Sequence, residues 1–253
     1  MTTKPAITLE NVGFAYRPGQ WVFRQCSARI ARGHVVSVLG ANGRGKTTLL
    51  KILIRALYAG EGTVEINGRV AFVPQLFETS FDYSVLDIVL MGRAKNIRLF
   101  SQPSDDDRAS AFAALETFGL AAHASRPFHE LSGGQRQLAL CARALVANAD
   151  ILILDEPTAS LDLKNQALVL QTVRRLAEQD GLTIVFSTHH PNHALAFADE
   201  ALLMIDVQEQ KFGPALEVLA EAELSRIFGL PIRRLDVPGF GAPIVAPMLN
   251  SLE

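Results

Sequence analysis

Two short segments of the sequence place reactive residue types at a spacing that points to phosphate chemistry. In Gly40-Ala-Asn42-Gly43-Arg-Gly45-Lys46-Thr47-Thr48, glycines and a lysine follow the apolar run 35–39 and precede a helix-forming stretch. Glycines let successive backbone N–H groups turn inward as an anion cradle, and the helix start behind them adds partial positive charge. Lys46 is placed to reach the outer phosphates of a nucleotide, and Thr47 offers a hydroxyl to Mg2+, a cation that takes hard oxygen ligands shared with phosphate. In Ile151-Leu-Ile-Leu-Asp155-Glu156, a continuous apolar run ends in two adjacent carboxylates. Side chains alternate along a strand, so Asp155 can complete the magnesium shell while Glu156 faces the water that attacks the terminal phosphorus. Together the two segments predict Mg2+-dependent hydrolysis of a nucleoside triphosphate, ATP being the expected one.

The elements that must position these residues follow from patterning. Strand-like runs at 7–14, 22–30 and 35–39 lead into the glycine loop, a helix is predicted over 46–57, and short strands over 63–66 and 70–73. Residues 84–147 read as helices (85–91, 106–118 and 132–146) with no convincing strand, which makes them a candidate inserted helical lobe. Buried parallel-strand runs then return at 151–154, 183–187 and 201–205, with helices over 164–179 and 191–198 between them. The expected fold is α/β, a phosphate-loop nucleotidase core with a mixed sheet and an N-terminal antiparallel part. One domain is expected: core from 1–83 and 148–212, lobe from 84–147, and a tail from 213–253 with two short helices and a Pro/Gly-rich end.

Composition narrows the partners. A net charge of −2 over 253 residues leaves no basic footprint for nucleic acid. The start Met1-Thr-Thr-Lys-Pro lacks the apolar stretch of a signal peptide, and no run approaches the ~18 apolar residues of a membrane span. Cys26 and Cys141 have neither metal-ligand nor CxxC spacing and read as reduced core thiols.

Leu131-Ser132-Gly133-Gly134-Gln135 stands before another predicted helix, a second glycine-rich helix start able to hold phosphate oxygens. With this segment in place the chain resembles the ATP-binding subunit of an ABC transporter, in the family's order and spacing across residues 5–230. The resemblance implies roles position by position. Tyr16 matches the aromatic that stacks on adenine, although a strand aromatic packed in the core is an alternative reading. Gln75 matches the glutamine that contacts magnesium and the attacking water near the membrane partner. Asp162, in Ala159-Ser160-Leu161-Asp162, lies in the loop that crosses the dimer contact, and His189 matches the histidine that senses the terminal phosphate. The family pairs two copies head to tail, so that ATP lies between one phosphate loop and the partner's Ser132–Gln135 segment.

Two positions depart from the family pattern. Arg44 stands where Ser or Cys is usual and is expected to point to solvent, and His190 follows the sensing histidine where an acid is common. With no span of its own, the chain would dock on polytopic permease subunits at the cytoplasmic face of the membrane, and act indirectly with a periplasmic or surface binding protein. Leu76, Phe77, Phe81 and Tyr83, with Leu86, Ile88, Val89, Leu90 and Met91, are either that docking surface or buried core. The stretch Tyr83 to Arg93 is similar to importers of iron-siderophore, haem, cobalamin and molybdate or tungstate, and with Phe72-Val-Pro-Gln-Leu-Phe it points to the molybdate branch. A soluble ABC-type ATPase in cofactor assembly is the alternative.

Overall fold

The computed structural model describes residues 4–75, 77, 81–94, 101–239 and 241–249. Alternating apolar residues at Ile7, Leu9, Val12 and Phe14 form β1 (Ile7–Arg17), which turns at Pro18-Gly19 into β2 (Gln20–Ile30). The fully buried run β3 (Val35–Gly40) feeds the glycine loop and α1 (Lys46–Leu53), followed by β4 (Glu61–Ile66) and β5 (Val70–Val73). The lobe contains α2 (Val85–Leu90), α3 (Asp105–Thr117) and α4 (Gly133–Leu145). Each starts at a serine, Ser84, Ser104 or Ser132, that exchanges hydrogen bonds with the residue three positions on. The core resumes with β6 (Ile151–Leu154), α5 (Leu163–Asp180), β7 (Thr183–Thr188), α6 (Pro191–Phe197) and β8 (Glu200–Met204). It closes with β9 (Gln210–Pro214), α7 (Ala215–Val218), α8 (Glu221–Phe228), β10 (Ile232–Leu235) and β11 (Ile244–Pro247).

The central sheet has the order β5-β6-β7-β3-β8-β9, parallel except for β9, which runs antiparallel to β8 at the edge. Strands buried on both faces need apolar residues throughout, which is why 35–39, 151–154 and 183–187 read as continuous runs. A second, antiparallel sheet, β2-β1-β4, packs its apolar face with α1 against one side of the central sheet. The lobe helices and α5 pack on the other, around Ile88, Leu115, Phe128 and Phe186.

The helix predicted over 46–57 stops at Leu53, because Arg55 adopts a left-handed φ of 60° and the N–H groups of Ala56 and Leu57 fold back onto the carbonyl of Lys51. The predicted strands 7–14 and 22–30 extend toward each other into one hairpin. Three strands went unpredicted. β9 has one large apolar residue, Phe212, and the β10-β11 hairpin is charged on one strand and proline-ended on the other, so neither carries the pattern of a buried strand. Of the apolar residues that were either docking surface or core, Ile88, Val89 and Leu90 are core, while Phe81 and Met91 are exposed. Leu76 lies outside the described residues.

Candidate functional site

The carboxyl ends of β3, β6 and β7 lie side by side, so the loops that follow them meet at one sheet edge. At the end of β3, Gly40 runs so close to β8 that a Cβ there would stand 2.7 Å from the carbonyl of Met204. Gly45, at φ 91°, begins α1, and a Cβ there would come within 2.6 Å of Val22. Any larger residue at either position would force a neighbour to shift, and at Gly45 it would also have to adopt a left-handed backbone.

Lys46 turns back into the loop and is buried, its Nζ donating to the carbonyls of Gly40 (2.9 Å) and Ala41 (3.3 Å) and lying 3.7 Å from Glu156 Oε1. Burial lowers its pKa from the ordinary lysine value, against the opposing pull of the Glu156 and Asp155 carboxylates. Thr47 Oγ1 donates to Asp155 Oδ1 at 3.1 Å, so the hydroxyl and carboxylate expected to share magnesium are in contact. Glu156 sits at a left-handed φ of 44°, and its Oε2 meets His189 Nδ1 at 3.2 Å. Tyr16 is 62% exposed, which removes the core-packing alternative; its ring stands edge-on to Phe14 and its hydroxyl is 3.1 Å from Thr48 Oγ1.

A cavity of about 570 Å³ gathers Tyr16, Val22, Asn42, Gly43, Gly45, Lys46, Thr47, Thr48, Gln75, Glu156 and His189. Asp155 is buried just beneath it, joined through Thr47. The other predicted residues are elsewhere. Ser132 and Gln135 cap the start of α4, Gln135 Nε2 also contacts His123 Nε2 at 3.3 Å, and Gly134 packs against Ser160 and Leu161. Asp162 caps α5 by accepting the N–H of Asn165 at 2.8 Å. None of Ser132, Gly133, Gly134, Gln135 and Asp162 lines the cavity.

The two departures from the family pattern have local explanations. Arg44 is exposed, as expected, and pairs with Asp206 at 3.6 Å. His190 packs between His189 and His193 with tilted rings, centroids 4.1 and 4.8 Å away, and burial followed by the neighbouring His189 lowers its pKa. His189, rather than His190, is the histidine in contact with Glu156. Sequence reasoning missed Ser187, which is wholly buried and bonded to both acidic positions. A hydroxyl at the end of an otherwise apolar strand run was its only signal.

The ABC transporter family profile matches residues 23–159. A molybdate import ATP-binding protein of Haemophilus influenzae is 42% identical, covering 90% of this chain and 89% of its own. A solved structure assigned to a metal-chelate type ABC transporter, in an inward-facing conformation, superposes with a TM-score of 0.90 at 39% identity over 98% of this chain and 100% of that one. A dimeric ATP-binding cassette in a post-hydrolysis state, bound to ADP and Pi, gives 0.76 at 27% identity, covering 83% and 98%. A phosphate loop, Glu156 and a histidine converging on one cavity with Asp155 bonded beneath it, in a chain with these relatives, place this protein in the ABC transporter family as one of its ATP-hydrolysing, ATP-binding subunits.

Proposed function

We propose that this chain energises an importer, working as a head-to-tail pair beneath polytopic permease subunits at the cytoplasmic membrane face, with molybdate or a related oxyanion as cargo. The observation that carries the engine is the cavity in which Lys46, Thr47, Glu156 and His189 meet. The cargo rests on the likeness to the molybdate import protein of Haemophilus influenzae; a metal chelate is the second reading, supported by the structural neighbour of metal-chelate type.

The phosphates of ATP would lie on the loop N–H groups, with Lys46 turning from the Gly40 and Ala41 carbonyls to the outer phosphates and Tyr16 offering its exposed face to adenine. Thr47 and Asp155 fit Mg2+, since both present hard oxygens already within 3.1 Å of each other, and Gln75 adds a third at the cavity rim. Bound there, the cation would neutralise charge on the phosphate oxygens. Glu156 accepts the proton of the attacking water, and His189 holds the carboxylate at Oε2. The start of α4, with Ser132 to Gln135, would close on the partner's ATP, and Asp162 would lie at the contact between copies.

Permease docking is supported by a cavity of about 620 Å³ between the end of α1, β5 and the lobe, where Arg55, Phe72, Met91 and Arg143 converge. Among the described residues no helix is long and apolar enough to cross a membrane, which is consistent with a peripheral subunit. The test is reconstitution of the chain with a co-purified permease in vesicles, following ATP-driven accumulation of molybdate against an iron chelate. Molybdate uptake abolished by Glu156→Gln supports the proposal. Recovery of the chain with soluble partners alone would sink it.

A further inference from the structure

Ser187 has no part in the chemistry above, yet its single hydroxyl touches both acidic positions. It lies near the end of β7 with no solvent exposure, between β6 and β3. Its Oγ donates to Asp155 Oδ1 at 2.7 Å and accepts the backbone N–H of Glu156 at 2.8 Å. Thr47 donates to the same Oδ1, so two hydroxyls, one from the start of α1 and one from β7, hold one carboxylate oxygen in place.

Burial in this sheet does not by itself force such bonds. Ser37, one strand away on β3 and equally buried, has a hydroxyl with no hydrogen-bond partner among the described residues. The arrangement at Ser187 is therefore specific to its place beside the acid pair. Glu156 also needs a tether, because its φ of 44° lies in the left-handed region that residues carrying a Cβ avoid. That conformation turns its carboxylate back toward Lys46 and His189, 3.7 and 3.2 Å away. Without the Ser187 acceptor, the part-buried Glu156 N–H loses this partner and the backbone is free to relax toward an ordinary conformation.

We propose that Ser187 is a positioning residue for hydrolysis: one hydroxyl sets the direction of the Asp155 carboxylate toward Mg2+ and also locks the Glu156 backbone that aims the general base. The proposal rests on the roles given above to Asp155 and Glu156.

The test uses the full chain as Ser187→Ala, Ser187→Thr and Ser187→Cys, with Glu156→Gln as control. It measures ATPase kinetics, binding of a fluorescent ATP analogue across a Mg2+ titration, and melting temperature. Removing the hydroxyl is expected to lower kcat about 10- to 100-fold, the scale of a small misplacement of a catalytic group, with KM for ATP within about threefold. The Mg2+ concentration for half-maximal analogue binding should rise several-fold. Ser187→Thr, which keeps the hydroxyl, should restore kcat to within about threefold of wild type. Ser187→Cys keeps the volume with far weaker hydrogen bonding, so it should fall between the two at a near-native melting temperature, even where the alanine variant folds poorly. Wild-type kcat in the alanine or cysteine variant overturns the proposal. So does an equal loss in Ser187→Thr, or a loss of analogue binding in step with kcat and without a Mg2+ shift, since those mark a packing role. An active Glu156→Gln removes the premise itself, whereas an inactive one beside a normal Ser187→Ala sinks Ser187 alone.

Discussion

Lys46→Met separates what this lysine does for nucleotide binding from what it does for the fold. The ammonium lies 3.7 Å from Glu156 Oε1, a gross attraction of about 4 kcal/mol at an effective dielectric of ~20. Taking a cation out of water costs several kcal/mol, and the direction of the pKa decides which wins. It is lowered, with burial the first cause, so desolvation exceeds the pull of both carboxylates and the charged lysine costs the nucleotide-free protein stability. A base whose folded pKa lies below its unfolded value leaves the unfolded chain binding more protons between the two. Stability therefore rises with pH across that interval, and the cost is complete below it. Methionine relieves the cost and keeps most of the volume. It forfeits the bonds to Gly40 and Ala41, about 1 kcal/mol each, and leaves Glu156 without its cation. These effects nearly cancel, and the melting temperature should stay within about 5 °C of wild type. ATP affinity should fall by about 2–5 kcal/mol, roughly 30-fold or more in Kd, because a desolvated charge contact to phosphate is lost. Scanning calorimetry of the nucleotide-free protein and titration calorimetry with ATP read the two quantities. A melting temperature lower by more than about 10 °C, or ATP binding within about threefold of wild type, would refute the reasoning.

Three further outcomes test the site and its surroundings. Gly45→Ala forces a Cβ to within 2.6 Å of Val22 at a φ of 91°, so it should cost about 1–3 kcal/mol in urea unfolding and weaken ATP binding; an unchanged midpoint would contradict the glycine argument. Ser132→Arg should leave analogue binding by the isolated chain nearly intact while abolishing hydrolysis, and full ATPase activity would count against the partner's helix start closing the site. His193 is held down to about 4 from the usual histidine value, by burial first and then by His190 and His189. The unfolded chain then binds more protons between pH 6.5 and about 4, so stability falls as pH drops through that window, by roughly 1–3 kcal/mol. Melting temperatures against pH should show a shallower slope in His193→Gln, and equal slopes would remove His193 from the account.

Much of the site was readable because its residues are consecutive. The glycine loop, the acid pair after 151–154 and Ser187-Thr188-His189 are short segments at strand ends, and a strand end in a parallel sheet has one place to deliver its residues. Tyr16 was less decidable, since an aromatic on an alternating strand fits either face; its 62% exposure came from the turn of the β1–β2 hairpin. The docking candidates were ambiguous for the opposite reason. Ile88 and Val89 on α2 read as apolar in any environment, and only packing against α3 and α4 made them core while Met91, one turn on, stayed exposed.

The amino-acid order alone determined the reaction chemistry, the sequence of strands and helices through residue 205, and the family likeness. All of these depend on local pattern and on short motifs. Tertiary structure decided which groups touch. The 3.2 Å contact of His189 with Glu156, the 3.7 Å approach of Lys46 to Glu156, and Ser187 bridging two acids all join residues 31 to 110 positions apart. It also made strands of β9, β10 and β11, whose residues lack a buried pattern; β9 is held by pairing along the edge of the central sheet, and β10 and β11 by pairing with each other. Contacts of that kind are set by the packing of neighbouring strands and leave no periodic trace in the chain that makes them.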